Sequence, residues 1–136
     1  MTESHGLPLG IAVSGANTHD SKLLAETLDN IVIFRPLPPW QRKQNLCLDA
    51  GYTGLQDEVE KRGLTAHIRP RGEEKLEIER NPDFKARRWI VEVLHSWINR
   101  FRKLLVRFEK KDSSYLGLLM FAFAIIVWRK IIPVHP

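Results

Sequence analysis

The sequence predicts an α/β fold in which a small sheet is covered by helices, two of them long and C-terminal. Three observations lead there. Short apolar runs bounded by Gly and Pro alternate with stretches whose apolar residues recur every three or four positions, the pattern of strands interleaved with helices. A length of 136 residues suits one domain with one core, taken to span about residues 7–131. A composition of 43% hydrophobic and 27% charged residues is that of a globular protein and excludes a disordered chain. No internal repeat or low-complexity tract interrupts it.

The elements follow in order. Residues 8–14 (Pro-Leu-Gly-Ile-Ala-Val-Ser) are short, apolar and flanked by turn formers, and read as a strand. After the turn at residues 15–18, residues 21–30 place Leu23, Leu24, Thr27 and Leu28 at helical spacing, with Thr18 or Asp20 as the N-cap. Residues 34–43 hold three prolines and form a loop. Residues 45–49 read as a second, buried strand ending in an acid, followed by a glycine turn, a helix over residues 55–62 and a third strand over residues 65–69. Residues 71–82 are a charged connector. A long helix over residues 85–108 carries Trp89, Val93, Trp97, Phe101, Leu104 and Phe108 on one apolar stripe, with Trp89 and Trp97 in the core. A helix is expected over residues 115 to about 131; its run from residue 115 to residue 128 is almost wholly apolar and reads as buried core, because 14 residues fall short of the roughly 18 to 20 a membrane span needs. The first strand begins close to Met1, so its neighbour in the sheet is expected upstream or on another chain.

The charge is unevenly spread. The net charge is +5 and the pI about 9.6. Residues 1–30 contain a single Lys and no Arg, whereas residues 87–111 are dense in both. A localised basic helix is the footprint of a phosphate-backbone binder, although a solvated basic face looks the same. Cys47 is the lone cysteine, which excludes an intrachain disulfide and a cysteine metal cluster and suits a reducing cytosol. No charged-then-apolar leader opens the chain, which argues against secretion.

Two carboxylates stand out. Glu92 is surrounded on the polar face of its helix by Arg88, His95, Ser96, Asn99, Arg102 and Lys103. One carboxylate within a ring of cations could hold a metal beside a phosphate-gripping surface, or simply make i,i+4 pairs on a solvated helix. Asp49 sits where a strand meets the turn Asp49-Ala50-Gly51-Tyr52, at the strand end where ligands gather in open α/β sheets. It could offer oxygens to Mg²⁺, or cap its own turn. Asp20 reads as a cap, and the acids at residues 73–79 as a solvated charge run. His19, His67 and His135 have no metal-ligand spacing, while His95 could touch a phosphate or orient Glu92.

Three blocks together carry a resemblance. They are residues 7–21 (Leu-Pro-Leu-Gly-Ile-Ala-Val-Ser-Gly-Ala-Asn-Thr-His-Asp-Ser), residues 46–52 (Leu-Cys-Leu-Asp-Ala-Gly-Tyr), and residues 88–92 with 96–103 (Arg-Trp-Ile-Val-Glu and Ser-Trp-Ile-Asn-Arg-Phe-Arg-Lys). In this order they resemble the C-terminal part of the catalytic domain of DDE-type transposases from bacterial insertion sequences. The resemblance implies a truncated RNase H-like fold and Mg²⁺-dependent cleavage and strand transfer at DNA ends, with Mn²⁺ as a substitute ion. It casts Asp49 as the second catalytic Asp and Glu92 as the catalytic Glu, both as metal ligands. Arg88 matches the Arg of the family's tyrosine-arginine-glutamate-lysine signature. Lys85 stands in for its tyrosine, and Asn99, with Arg100 adjacent, for its lysine. The implied DNA contacts are Arg88, His95, Asn99, Arg100, Arg102 and Lys103.

The family's first catalytic Asp lies upstream of the position of Leu7, so the expected protein is an N-terminally incomplete catalytic domain, inactive alone. Its expected partners are DNA, at element ends and target, and an upstream transposase fragment or a second copy; no membrane is expected. The expected location is the bacterial cytoplasm, at the nucleoid. The rival expectations are a non-catalytic DNA-binding or oligomerising fragment that interferes with full-length transposase, and a membrane-associated peptide anchored by residues 115–128.

Overall fold

A computed structural model describes residues 1–33, 44–68, 79–80 and 89–132. The proline-rich loop, most of the charged connector, and Lys85, Arg87 and Arg88 lie outside the described residues.

The sheet half is built on strands β1 (Gln44–Leu48) and β2 (Leu64–Ile68), which run parallel with Gln44 opposite Leu64 and Leu48 opposite Ile68. Parallel neighbours need a crossover. Here it contains a 3-10 turn, Ala50–Tyr52, and helix α2 (Gln56–Glu60). Leu46, Leu48 and Ala66 pack on a core of Val59, Leu64 and the Leu24 and Leu28 of helix α1 (Leu24–Asp29). Arg62 ties the two helices together, donating from Nε and Nη2 to the two Asp29 carboxylate oxygens at 2.7 and 2.9 Å and from Nη1 to Glu58 Oε2 at 3.1 Å.

The fully buried strand expected at residues 45–49 is corrected. Helices cover one face of a two-stranded sheet, so Asn45, Cys47 and His67 lie exposed on the other. There His67 Nε2 and Asn45 Oδ1 share a hydrogen bond of 2.8 Å.

The helical half contains α3 (Trp89–Ile98), α4 (Arg102–Leu105) and α5 (Asp112–Ile131). Leu94, Leu104, Leu119, Ala122, Phe123 and Ile126 form its core, with Trp97, Ile98, Phe101 and Tyr115 against it. The single long helix expected over residues 85–108 is thus two helices with a break. The amides of Arg100 and Phe101 bond back only three residues, to Trp97 and Ile98, and Phe101 turns extended (φ −88, ψ 99). The break returns Phe101 and Leu104 to the surface of α5 that Leu94 and Ile98 already meet.

The apolar stripe is corrected as well. Ile90 and Leu94 are the buried positions of α3, while Trp89 is 58% and Phe108 74% exposed. Trp97 is half-buried and carries Lys130 Nζ 4.6 Å above its ring. Helix α5 ends at Ile131 as expected and starts three residues before the expected Tyr115; its 20 residues are, by length and apolar composition, enough to cross a membrane. Its buried positions, Leu119, Ala122, Phe123 and Ile126, keep the i, i+3, i+4, i+7 spacing of a helix packed along one stripe. Phe121, Trp128 and Ile131 lie exposed.

Residues 8–14 belong to no ladder; an isolated antiparallel bridge between Thr2 and Pro8 is the sole strand pairing at this end among the described residues. The expected strand is instead a spine between the two halves. Leu7, Ile11 and Val13 pack into the helical core, whereas Met1 packs into the sheet core. Gly10 rests directly on α1, where an added Cβ would stand 2.6 Å from the carbonyl oxygen of Thr27. Gly6, at φ +88, sits against Val93 and Trp97 of α3.

Candidate active site and nucleic-acid interface

Asp49 follows directly on β1, at the carboxyl end of the sheet, and is exposed. Its backbone is extended (φ −79, ψ 175), and its Oδ1 accepts the Gly51 amide at 2.8 Å, capping the 3-10 turn. Gly51 permits that closeness, since a Cβ there would lie 3.0 Å from the same oxygen. The carboxylate is therefore oriented by its own turn and presents Oδ2 with no protein partner among the described residues.

A second acid lies beside this turn. The 3-10 turn Asp20–Leu23 packs against the turn Ala50–Tyr52, and Tyr52 stands close to both Asp20 and Asp49. Burial pushes the Tyr52 hydroxyl above its ordinary pKa, and the negative charges of Asp20 and Asp49 push it further in the same direction. Thr18 or Asp20 was expected to cap the helix over residues 21–30. The cap of its opening 3-10 turn is His19, whose Nδ1 accepts the Ser21 amide at 3.3 Å, and α1 itself starts without a side-chain cap. The acid next to a helix start looked like a cap from sequence, which hid its closeness to Asp49; the neighbouring His19, able to accept through a ring nitrogen, was the available signal.

Glu92 lies in the first turn of α3, exposed and with neither hydrogen bond nor ion pair among the described residues. His95 is exposed one turn on, and its carbonyl accepts the Asn99 amide at 2.9 Å where the helix ends. The Ser96 hydroxyl donates to the Val93 carbonyl and so turns back on its own helix. Arg100 is exposed at the break, and Arg102 and Lys103 are exposed on α4. The basic surface is therefore a bend between two helices rather than one continuous helix face. None of these three cations has an ion-pair partner among the described residues. Arg107 differs: it pairs with Asp112 and lies over the Tyr115 ring, so its charge already has a partner on the surface. Arg88 lies outside the described residues.

Asp49 rides on the sheet half and Glu92 on the helical half, where α3 packs on α5. No hydrogen bond joins them, and no three Asp, Glu, His or Cys side chains among the described residues gather closely enough to hold a metal ion. Two exposed carboxylates have the oxygen chemistry a hard divalent cation prefers. They do not complete a site by themselves.

Comparison with known proteins speaks to family. Residues 46–129 match the family described as transposase DDE domain. Over 134 residues the chain is 32% identical to a transposase described for insertion sequence element IS402 of Burkholderia cepacia, a match covering 94% of this chain and 60% of that relative. The chain thus spans about 60% of the length of the curated relative it matches. No solved structure matches.

Proposed function

Because the chain belongs to the DDE-type transposases of insertion sequences, we propose that it is the downstream part of an RNase H-like catalytic domain that cuts and joins the ends of a mobile element. In this reading Asp49 and Glu92 are two of the carboxylates that hold Mg²⁺, or Mn²⁺ in its place, and a third acid comes from sequence outside this chain. A metal held there would supply charge stabilisation at the transferring phosphoryl group and would make an attacking water more acidic. The observation that carries the reading is Asp49. It stands at the carboxyl edge of the parallel strands, is locked by the Gly51 amide and offers an open oxygen outward.

The chain's own residues contribute binding and orientation. Arg100, Arg102 and Lys103 grip backbone phosphates, their charges uncommitted to partners among the described residues, and such contacts place DNA without reading its sequence. His95, on the Glu92 helix, and Asn99, at its end, extend this grip, and the family resemblance adds Arg88 to the DNA contacts. Asp49 enters the site with its rotamer already restricted, so little side-chain freedom is lost when it binds. The protein works in the bacterial cytoplasm, at the nucleoid.

Incubated with Mg²⁺ and DNA bearing the element's ends, the chain alone is expected to leave the DNA intact. Adding the portion of the Burkholderia relative that lies outside the match is expected to produce nicking, which Asp49→Asn or Glu92→Gln lowers at least about 100-fold. Nicking by the unaided chain that disappears in Glu92→Ala would overturn the assignment of an incomplete site.

A second reading is favoured by the lack of a three-ligand cluster among the described residues. On it the chain is a non-catalytic fragment that occupies DNA or full-length transposase and interferes with transposition. Co-expression with an intact relative lowers transposition on this reading, and the Glu92→Gln variant lowers it equally.

A further inference from the structure

Tyr52 carries a group that its place in the core does not need. Its ring packs on the sheet core of Leu24, Leu28, Val59 and Leu64, which holds the ring in place. A phenylalanine would fill the same space. The hydroxyl adds nothing to that packing and costs desolvation, which half-buried tyrosines ordinarily offset with a hydrogen bond. Here the residue is half-buried and its hydroxyl has no hydrogen-bond partner among the described residues.

The position of that hydroxyl gives it a use. The Tyr52 amide donates to the Asp49 carbonyl at 3.2 Å and closes one 3-10 turn. At three residues per turn, positions three apart share a side, and helical side chains lean back toward the start of the turn. Tyr52 therefore leans toward Asp49, and the turn Asp20–Leu23, packed against the same residues, brings Asp20 close as well. Burial and the two carboxylates hold the proton on the hydroxyl, which makes it a neutral donor. A hydroxyl kept only to bond Asp49 or Asp20 would already be bonded in the chain as it stands, and it is bonded to neither.

We propose that Tyr52 is a further catalytic residue, whose hydroxyl donates to a nonbridging oxygen of the scissile DNA phosphate held beside Asp49. Those oxygens are acceptors only, and negative charge makes them the partners a donor stabilises best. Charge is spread over them as the phosphoryl group transfers, and a donor on a ring fixed by packing meets it without rearranging. The inference rests on the reading of Asp49 given above, and it adds a neutral donor to a site otherwise made of carboxylates.

The test uses the intact chain mixed with the portion of the Burkholderia relative outside the match, Mg²⁺ and DNA bearing the element's ends. Tyr52→Phe keeps the ring and should lower the nicking rate at saturating DNA about 10- to 100-fold, the worth of a hydrogen bond to a charged group, with DNA affinity unchanged. A single phosphorothioate at the scissile phosphate, each stereoisomer taken separately, identifies the oxygen. For one isomer the sulfur already weakens the bond, so Tyr52→Phe should lower the rate no further. A packing role would give the same loss on every substrate. Independently of cutting, and with no substitution at Tyr52, the ¹³C-labelled ring carbon bearing the hydroxyl should shift in NMR when DNA joins the Glu92→Gln mixture. Undiminished nicking by Tyr52→Phe, equal losses on unmodified DNA and both isomers, or an unshifted ring carbon would each overturn the inference and leave the catalytic reading standing. A wild-type mixture that does not nick, with the ring carbon still shifted by DNA, would overturn the catalytic reading and leave the phosphate contact.

Discussion

The sheet half and the helical half of this molecule hold themselves together differently, and the difference tracks where each keeps its candidate chemistry. The sheet half buries four aliphatic side chains, Leu24, Leu28, Val59 and Leu64, and adds the Arg62 bridge to Asp29 and Glu58. Among the described residues the helical half has the larger core, which includes Phe123, and two of its exposed cations lie over aromatic rings, Arg107 on Tyr115 and Lys130 on Trp97. Asp49 is fixed by a hydrogen bond within a tight turn, while Glu92 stands unpaired on the surface of a helix. With a fixed acid on one body and an open acid on another, the geometry between the two carboxylates depends on how the bodies join. The join is the N-terminal segment, with Leu7, Ile11 and Val13 in the helical core, Gly10 resting on α1 and Met1 in the sheet core.

Three perturbations test that contrast. The largest effect is expected from Leu94→Ala, 4% exposed in the helical core, which should cost about 2–5 kcal/mol in chemical denaturation. Because the N-terminal segment reaches both cores, Met1 in one and Leu7, Ile11 and Val13 in the other, the amides of β1 and β2 should lose hydrogen-exchange protection along with those of α3. Sheet amides that keep full protection would divide the molecule into two independent units. Gly10→Ala comes next. Its Cβ would meet the Thr27 carbonyl at 2.6 Å, and relieving that overlap should cost about 1–3 kcal/mol while lowering the cooperativity of unfolding. A stabilised Gly10→Ala chain would show that the spine does not set the join.

The smallest effect concerns pH. The hydrogen bond from Arg62 is the main cause of the lowered Asp29 pKa, and those from Lys61 and then Arg62 lower Glu58. Carboxylates depressed on folding add stability that is present above their unfolded range and fades as the pH falls below about 4. Arg62→Ala should lower Tm slightly at neutral pH and flatten its acid dependence. Both groups are exposed, so the change should stay small. An unchanged acid limb would show that the bridge contributes nothing between α1 and α2.

Local pattern made several features legible. The strand ending in Asp49, the helix after it, the strand at residues 64–68 and the family itself were all readable, because each rests on spacing within a few residues or on blocks in order. The helix at residues 21–30 was legible as well, with its first turn 3-10 and its cap one residue from the expected Asp20. Misreadings occurred where distant contacts decide. The stripe through Trp89 and Phe108 keeps helical period across a break that period alone cannot reveal. Asp20 could be seen only as a cap, since its closeness to Tyr52 and Asp49 joins residues some thirty positions apart.

The amino-acid order by itself determined the alternation of strands and helices, the concentration of cations near Glu92, the turn that orients Asp49 and the membership of the transposase family. These follow from backbone preference and side-chain chemistry over short range. Tertiary structure alone decided that residues 8–14 act as a spine instead of a laddered strand, that the basic surface bends after Ile98, and that one face of α5 is buried while its others stay exposed. Each of these depends on which apolar surfaces find partners once the chain has collapsed, and a linear pattern records that a surface is apolar without recording what covers it.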